Sequence, residues 1–100
     1  MKTTIQEQNG NMVAVLEGRL DTAASPETER ALSPLLESEG QDVILDCTRL
    51  EYISSSGLRI FLGILKSAQA KGGRVYITGI SDNIRAIFAM TGFINLFQFK

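Results

Sequence analysis

Residues Asp42–Thr78 read DVILDCTRLEYISSSGLRIFLGILKSAQAKGGRVYIT, and the spacing of their apolar residues changes twice. Asp42-Val43-Ile44-Leu45-Asp46-Cys47 is a nearly continuous apolar run, the pattern of a strand covered on at least one face by helices. Ser55 to Lys71 switches to helical periodicity and stops at Gly72-Gly73. A second short apolar run, Arg74-Val75-Tyr76-Ile77-Thr78, follows. Strand, helix, strand implies a right-handed crossover between two parallel strands, with the first run as the central strand.

The flanks extend this unit. Gln8-Asn9-Gly10-Asn11 carries the Asn-Gly pair of a tight hairpin, between a polar strand over Thr3–Gln8 and an apolar one over Met12–Glu17. After Gly18-Arg19-Leu20-Asp21, Ser25-Pro26-Glu27 reads as a helix start, with Ser25 as N-cap and Pro26 at the first helical position. That helix is expected to run to about Ser38, with Ala31, Leu32, Leu35 and Leu36 on one face and a kink at Pro34. Ser81 caps a further helix in which Ile84, Ile87 and Phe88 recur at helical spacing, and Gly92 supplies the left-handed residue at its end. Phe97-Gln98-Phe99 alternates like a short edge strand. The expected fold class is α/β: one domain over residues 1–100, an antiparallel N-terminal hairpin leading into parallel strands, and helices mainly on one face of a small mixed sheet.

Composition removes several classes of function. The 100 residues are 44% hydrophobic and 21% charged, the balance of an ordinary globular domain rather than a tail or a fibre. Ten basic against eleven acidic side chains, with a pI near 5.3, lack the footprint of a nucleic-acid binder. The absence of His removes the usual general base, the commonest metal ligand and any Ser-His-Asp relay. A single cysteine, Cys47, makes neither an internal disulfide nor a zinc site, and it fits a reducing cytosol. No signal peptide or membrane span is legible, so a cytoplasmic protein without catalytic residues, metal or cofactor is expected.

Tyr52-Ile53-Ser54-Ser55-Ser56-Gly57-Leu58-Arg59-Ile60-Phe61-Leu62 carries more than structure requires. At about one hundred degrees per residue, Leu58, Phe61, Leu62, Leu65 and Ala68 share one side of the helix. Ser56, Arg59, Gly63, Lys66, Ser67 and Ala70 share the other, which places Ser56 toward solvent with Ile60 at the border. Ser56 also falls in the first turn, where unpaired N–H groups and the helix dipole favour negative charge. A phosphate there would add about 1.5 to 2 negative charges to a surface of small residues, a switch for a docking partner. The plainer alternative is that Ser54 caps the helix and its neighbours are merely small and polar. Gly57 weighs against it, because glycine in a helix costs roughly 1 kcal/mol relative to Ala and a close backbone approach is the usual compensation. Gly63 repeats the argument on a face that reads as flat.

These residues resemble the STAS-domain anti-sigma factor antagonists over nearly the whole chain. The resemblance rests on Gly18-Arg19-Leu20-Asp21, Val43-Ile44-Leu45-Asp46 and Ile53-Ser54-Ser55-Ser56-Gly57-Leu58, in the family's order and spacing. It implies that Ser56, directly before the glycine, is phosphorylated by an anti-sigma factor that is also an ATP-dependent serine kinase. It implies further that the unphosphorylated form sequesters that kinase and frees a sigma factor, and that a metal-dependent phosphatase resets phospho-Ser56. The partner surface it implies comprises Asp21, Thr22, Ser54, Ser55, Ser56, Gly57, Arg59, Ile60 and Gly63. The family usually has Asp where this chain has Ser54, and many relatives continue past the position of Lys100 into another helix. Either side chain at position 54 caps a helix, but Ser brings no charge beside the acceptor.

Ser54 in place of Asp is the support for an alternative role: an adaptor docking without phosphorylation on a larger assembly such as a transporter ATPase complex. A small hydrolase is a third reading, and it fails for want of a base, since Arg59 cannot be deprotonated. Asp46 ends the central strand, as the phospho-accepting aspartate of a response-regulator receiver does. The acidic pair and the lysine that a receiver needs are not placed here, and Asp46 reads as an Asx-turn residue. Cys47 reads as core, and Gly72, Gly73 and Gly79 as turn residues rather than a phosphate-binding loop. A monomer or a weak dimer is expected.

Overall fold

The computed structural model describes residues 1–37 and 39–100. Asn9 (φ 53°) and Gly10 (φ 81°) both occupy the left-handed region, as a two-residue hairpin requires, and join β1 (Lys2–Gln8) to β2 (Asn11–Leu20). The two strands pair antiparallel from Gln8↔Asn11 to Lys2↔Glu17. β3 (Val43–Ile53) and β4 (Val75–Thr78) then add in parallel, and β5 (Gln98–Phe99) closes the far edge, giving the order β1-β2-β3-β4-β5. The crossover helix α3 (Ser55–Ala70) connects β3 to β4, and α4 (Asp82–Met90) with a 3₁₀ turn (Phe93–Asn95) connects β4 to β5. The hairpin, the crossover, the Ser81 cap (accepting from the Ile84 N–H) and the short edge strand all match the sequence reading.

Strand alternation sorts the sheet into two faces. Ala14 and Leu16 from β2, Val43, Leu45 and Cys47 from β3, and Val75 and Ile77 from β4 are buried beneath the helices. Phe61 of α3, Phe88 of α4 and Phe97 complete this core with ring centroids 5.8–6.4 Å apart in tilted and edge-on pairs. Ile44, Tyr76 and Thr78 point the other way and stay half-exposed, with the Lys100 ammonium 4.0 Å from the Tyr76 ring centre. The helices therefore cover mainly one face, as expected.

β3 is longer than its apolar run suggested. The Asp46 carboxylate accepts from the Thr48 N–H (3.0 Å) and hydroxyl (2.6 Å), the expected Asx-type contact, yet the strand continues past it to Ile53. Against β2 the register shifts at Val15/Glu17 and at Gly18/Arg19, each time with one extra residue in β3, and Gly18 takes φ 105°. These irregularities carry β2 to Leu20, beside Ile53, so that both strands end at one corner of the sheet.

The first helix departs from the sequence reading in two ways. Its N-cap is Ala24 rather than Ser25, because the Ser25 hydroxyl is spent donating to the Asp21 carbonyl (2.9 Å) and Pro26 moves one step inward. It also breaks rather than kinks. α1 (Ser25–Ala31) and α2 (Ser33–Leu36) are separate, since Pro34 cannot donate to Arg30 and the Ser33 hydroxyl bonds that carbonyl instead (2.8 Å). Leu32 and Leu35 are buried, whereas Leu36 is exposed. The expected end at Ser38 lies outside the described residues.

Candidate functional site

The corner where β2 and β3 end holds most of the residues singled out from sequence. The Ser54 N–H donates to the Leu20 carbonyl (2.8 Å), which sets the Asp21–Ala24 loop beside the start of α3. In that loop the Asp21 carboxylate accepts from the Ala24 N–H (2.9 Å), leaving Asp21 half-exposed and Thr22 exposed. Ser54 is extended (φ −87°, ψ 172°) and its hydroxyl accepts from the Gly57 N–H at 3.2 Å, so it is the N-cap of α3. Ser55 and Ser56 are then the first two helical residues, the first exposed and the second half-exposed.

Gly57 is where the helix meets the sheet. A Cβ there would lie 2.8 Å from Ile53 Cγ1 and 2.8 and 2.9 Å from Leu20 Cγ and Cδ2. The close approach inferred from its presence in a helix is therefore made by the ends of β2 and β3. Gly63 differs: a Cβ there would meet nothing within 4 Å, so no intramolecular contact among the described residues accounts for it.

The exposed face of α3 is not flat. α1 and α2 lie along it, and the Ser67 hydroxyl and Lys71 ammonium both donate to the Leu36 carbonyl. A cleft of about 240 Å³ opens between α1 and the start of α3, lined by Ser25, Pro26, Glu29, Ser56, Arg59 and Ile60. It runs on into an apolar groove over Leu32, Leu36 and Gly63, sharing Glu29, Arg59 and Ile60. The α1 wall explains why Ile60, expected at a border, is only 8% exposed, and why Ser56 sits at a cleft mouth rather than fully in solvent. Of the nine expected surface residues, Ser54, Gly57 and Ile60 are buried, while Asp21, Thr22, Ser55, Ser56, Arg59 and Gly63 reach the surface.

Glu29, Leu32 and Leu36 line this cleft and groove and were not marked by sequence as surface residues, since it shows no signal for where α1 crosses α3. The ion pair among the described residues, Arg49 with Glu17 at 3.1 Å, lies elsewhere, so Arg59 and Glu29 face the cleft unpaired with each other. Cys47 is fully buried, and burial, followed by the neighbouring Asp46 carboxylate, pushes its thiol pKa up to about 12. It is a core side chain, not a nucleophile.

This architecture is that of a known class. The STAS domain family model matches residues 2–100. The anti-sigma-B factor antagonist of Staphylococcus aureus is 34% identical over 79 residues, covering 79% of this chain and 73% of that protein. BtrV of Bordetella bronchiseptica is 31% identical over 97 residues, covering 97% of this chain and 84% of that protein. The chain belongs to the STAS domain family of anti-sigma factor antagonists. In fold it is similar to the Bacillus cell fate determinant SpoIIAA, solved in its phosphorylated form, with a TM-score of 0.73 at 22% identity over 99% of this chain and 91% of that one. No helix among the described residues is long and apolar enough to cross a membrane.

Proposed function

We propose that this chain is a phosphorylation-switched antagonist that, with Ser56 unmodified, sequesters a kinase-type anti-sigma factor and so releases a sigma factor. The observation that carries the reading is the placement of Ser56. Its hydroxyl stands on the first turn of α3, at the mouth of a cleft, while the neighbouring Ser54 does the capping. Because Ser56 holds no capping duty, modifying it leaves the helix start intact. SpoIIAA, which shares this fold, is solved in a phosphorylated form, so the fold accommodates such a modification.

In the switching step the Ser56 Oγ forms a bond to the γ-phosphorus of ATP as the bond to ADP breaks, and the hydroxyl proton passes to a base on the kinase. Positioning and metal ions come from the kinase, so the absence of a carboxylate at position 54 does not disable the acceptor. The product adds about 1.5 to 2 negative charges where the partner docks, which changes the charge of the docking surface and loosens the complex. A metal-dependent phosphatase restores the hydroxyl. Asp21, Thr22, Ser55, Arg59 and Gly63 make the docking surface around Ser56, and Ser54, Gly57 and Ile60 shape it from beneath.

The test is incubation with the anti-sigma factor kinase encoded by the same organism, with ATP and Mg²⁺, followed by binding assays on both forms. One phosphoryl group per chain is expected, absent in Ser56→Ala, with loss of the complex on modification. Incorporation that survives Ser56→Ala would overturn the assignment of the acceptor. A stable complex indifferent to ATP would replace the switch with the adaptor role, docking through the same surface.

A further inference from the structure

The cleft beside Ser56 carries one cation and one carboxylate, and their placement bears on what becomes of a phosphoryl group once it is attached. Arg59 lies three residues after Ser56 on α3, a spacing that sets the two side chains as neighbours on one helix face. Glu29 faces them from α1, across the same cleft. The other lining residues, Ser25, Pro26 and Ile60, carry no charge. Asp21, in the adjoining loop, has its carboxylate bonded to the Ala24 N–H.

We propose that the Arg59 guanidinium pairs with the phosphate of phospho-Ser56 within this cleft, with Glu29 opposing it from the facing helix. This rests on the reading of Ser56 as the modified residue. A guanidinium forks onto two phosphate oxygens in a way the neutral Ser56 hydroxyl cannot match, so the modification changes what Arg59 bonds. Before modification the two charges at the cleft cancel, and Arg59 is available to an acidic group on the partner. Afterwards Arg59 is held by the phosphate, and the partner meets Glu29 together with a dianion. The switch thus withdraws a positive contact as well as adding a negative one. Glu29 limits how tightly the pair closes, leaving the phosphate open to a phosphatase.

The experiment installs phosphoserine at position 56 by genetic encoding, without any kinase, and follows the ³¹P resonance of the folded protein against pH. The second ionisation of phosphoserine falls near pH 6, and a neighbouring cation lowers it. In Arg59→Gln it is expected to rise by roughly 0.3 to 0.7 relative to the unsubstituted protein, the size of a partly exposed charge pair at low salt. Glu29→Gln is expected to lower it, and Arg59→Lys to restore most of the Arg59 effect. Both residues are exposed, so the variants should fold, which circular dichroism checks. An unchanged titration in folded Arg59→Gln would overturn the proposal, as would a rise in Glu29→Gln. Failure of the kinase to modify Ser56 would instead overturn the functional reading and leave the titration result standing.

Discussion

Replacing Gly57 by Ala tests whether α3 is held against the corner of the sheet as tightly as the structure indicates. On helix propensity alone the substitution stabilises by about 1 kcal/mol. The added methyl would stand 2.8–2.9 Å from three side-chain carbons, against about 3.5–4.0 Å for an unstrained carbon contact. Leu20 is 0% and Ile53 1% exposed, so neither can swing outward to make room. Overpacking in a filled core costs about 1 to 3 kcal/mol, and overlap on three atoms puts this site toward the upper end. The net expectation is a loss of about 1 to 2 kcal/mol. Gly63→Ala supplies the control: same helix, same propensity gain, nothing within 4 Å, and hence a gain of up to about 1 kcal/mol. Urea denaturation followed by far-ultraviolet circular dichroism reads both, with the wild type alongside. If Gly57→Ala stabilises as much as Gly63→Ala, the close approach does not explain the glycine and the argument fails.

Ser54→Ala removes the acceptor of the Gly57 N–H and should cost about 1 kcal/mol, a fall in Tm of about 4–8 °C, whereas Ser54→Asn, which keeps an acceptor, should lose less. An unchanged melt in Ser54→Ala would mean that the cap contributes nothing. The Cys47 thiol, pushed up to about 12 by burial and by Asp46, keeps its proton in the fold after the unfolded chain has lost it. The stability this contributes is complete below the ordinary thiol range and is lost as pH climbs toward 12, at up to about 1.4 kcal/mol per pH unit. Denaturation midpoints of wild type and Cys47→Ala measured from about pH 8 to 11 should converge as pH rises; parallel profiles would refute the shift.

The crossover was legible because its signals are local and agree. β3 and β4 read as short apolar runs, α3 as a helical period between them, and Ser54 and Ser81 as caps whose side chains do accept the expected N–H groups. The start and finish of the first helix were not, because each turned on a hydroxyl with two competing uses. Ser25 could accept as an N-cap or donate to Asp21, and it donates. Pro34 marked trouble inside the helix, but whether the chain kinked or broke depended on Ser33 satisfying the Arg30 carbonyl. Likewise the apolar run of β3 ended at Cys47 in sequence, while the strand carries on past the Asp46–Thr48 contact to Ile53, paired with β2 across two register shifts.

The same distinction governs the site. The place of Ser56 on the first turn of α3 could be read from sequence because it depends only on the helix that Ser54 begins. The cleft could not, because its second wall is α1, which together with α2 is laid along α3 by contacts far away in sequence, among them the bonds from Ser67 and Lys71 to the Leu36 carbonyl at the end of α2. The two glycines of α3 show how these levels combine. Both weaken the helix by about the same amount, yet only Gly57 is matched by a close approach of the sheet. Gly63 faces the groove that α2 borders, where a side chain would occupy space that none of the described residues fills. The first glycine therefore follows from packing within the fold. The second has no such contact among the described residues, and its place beside the groove depends on how α1 and α2 cross α3 and not on the period of α3 itself.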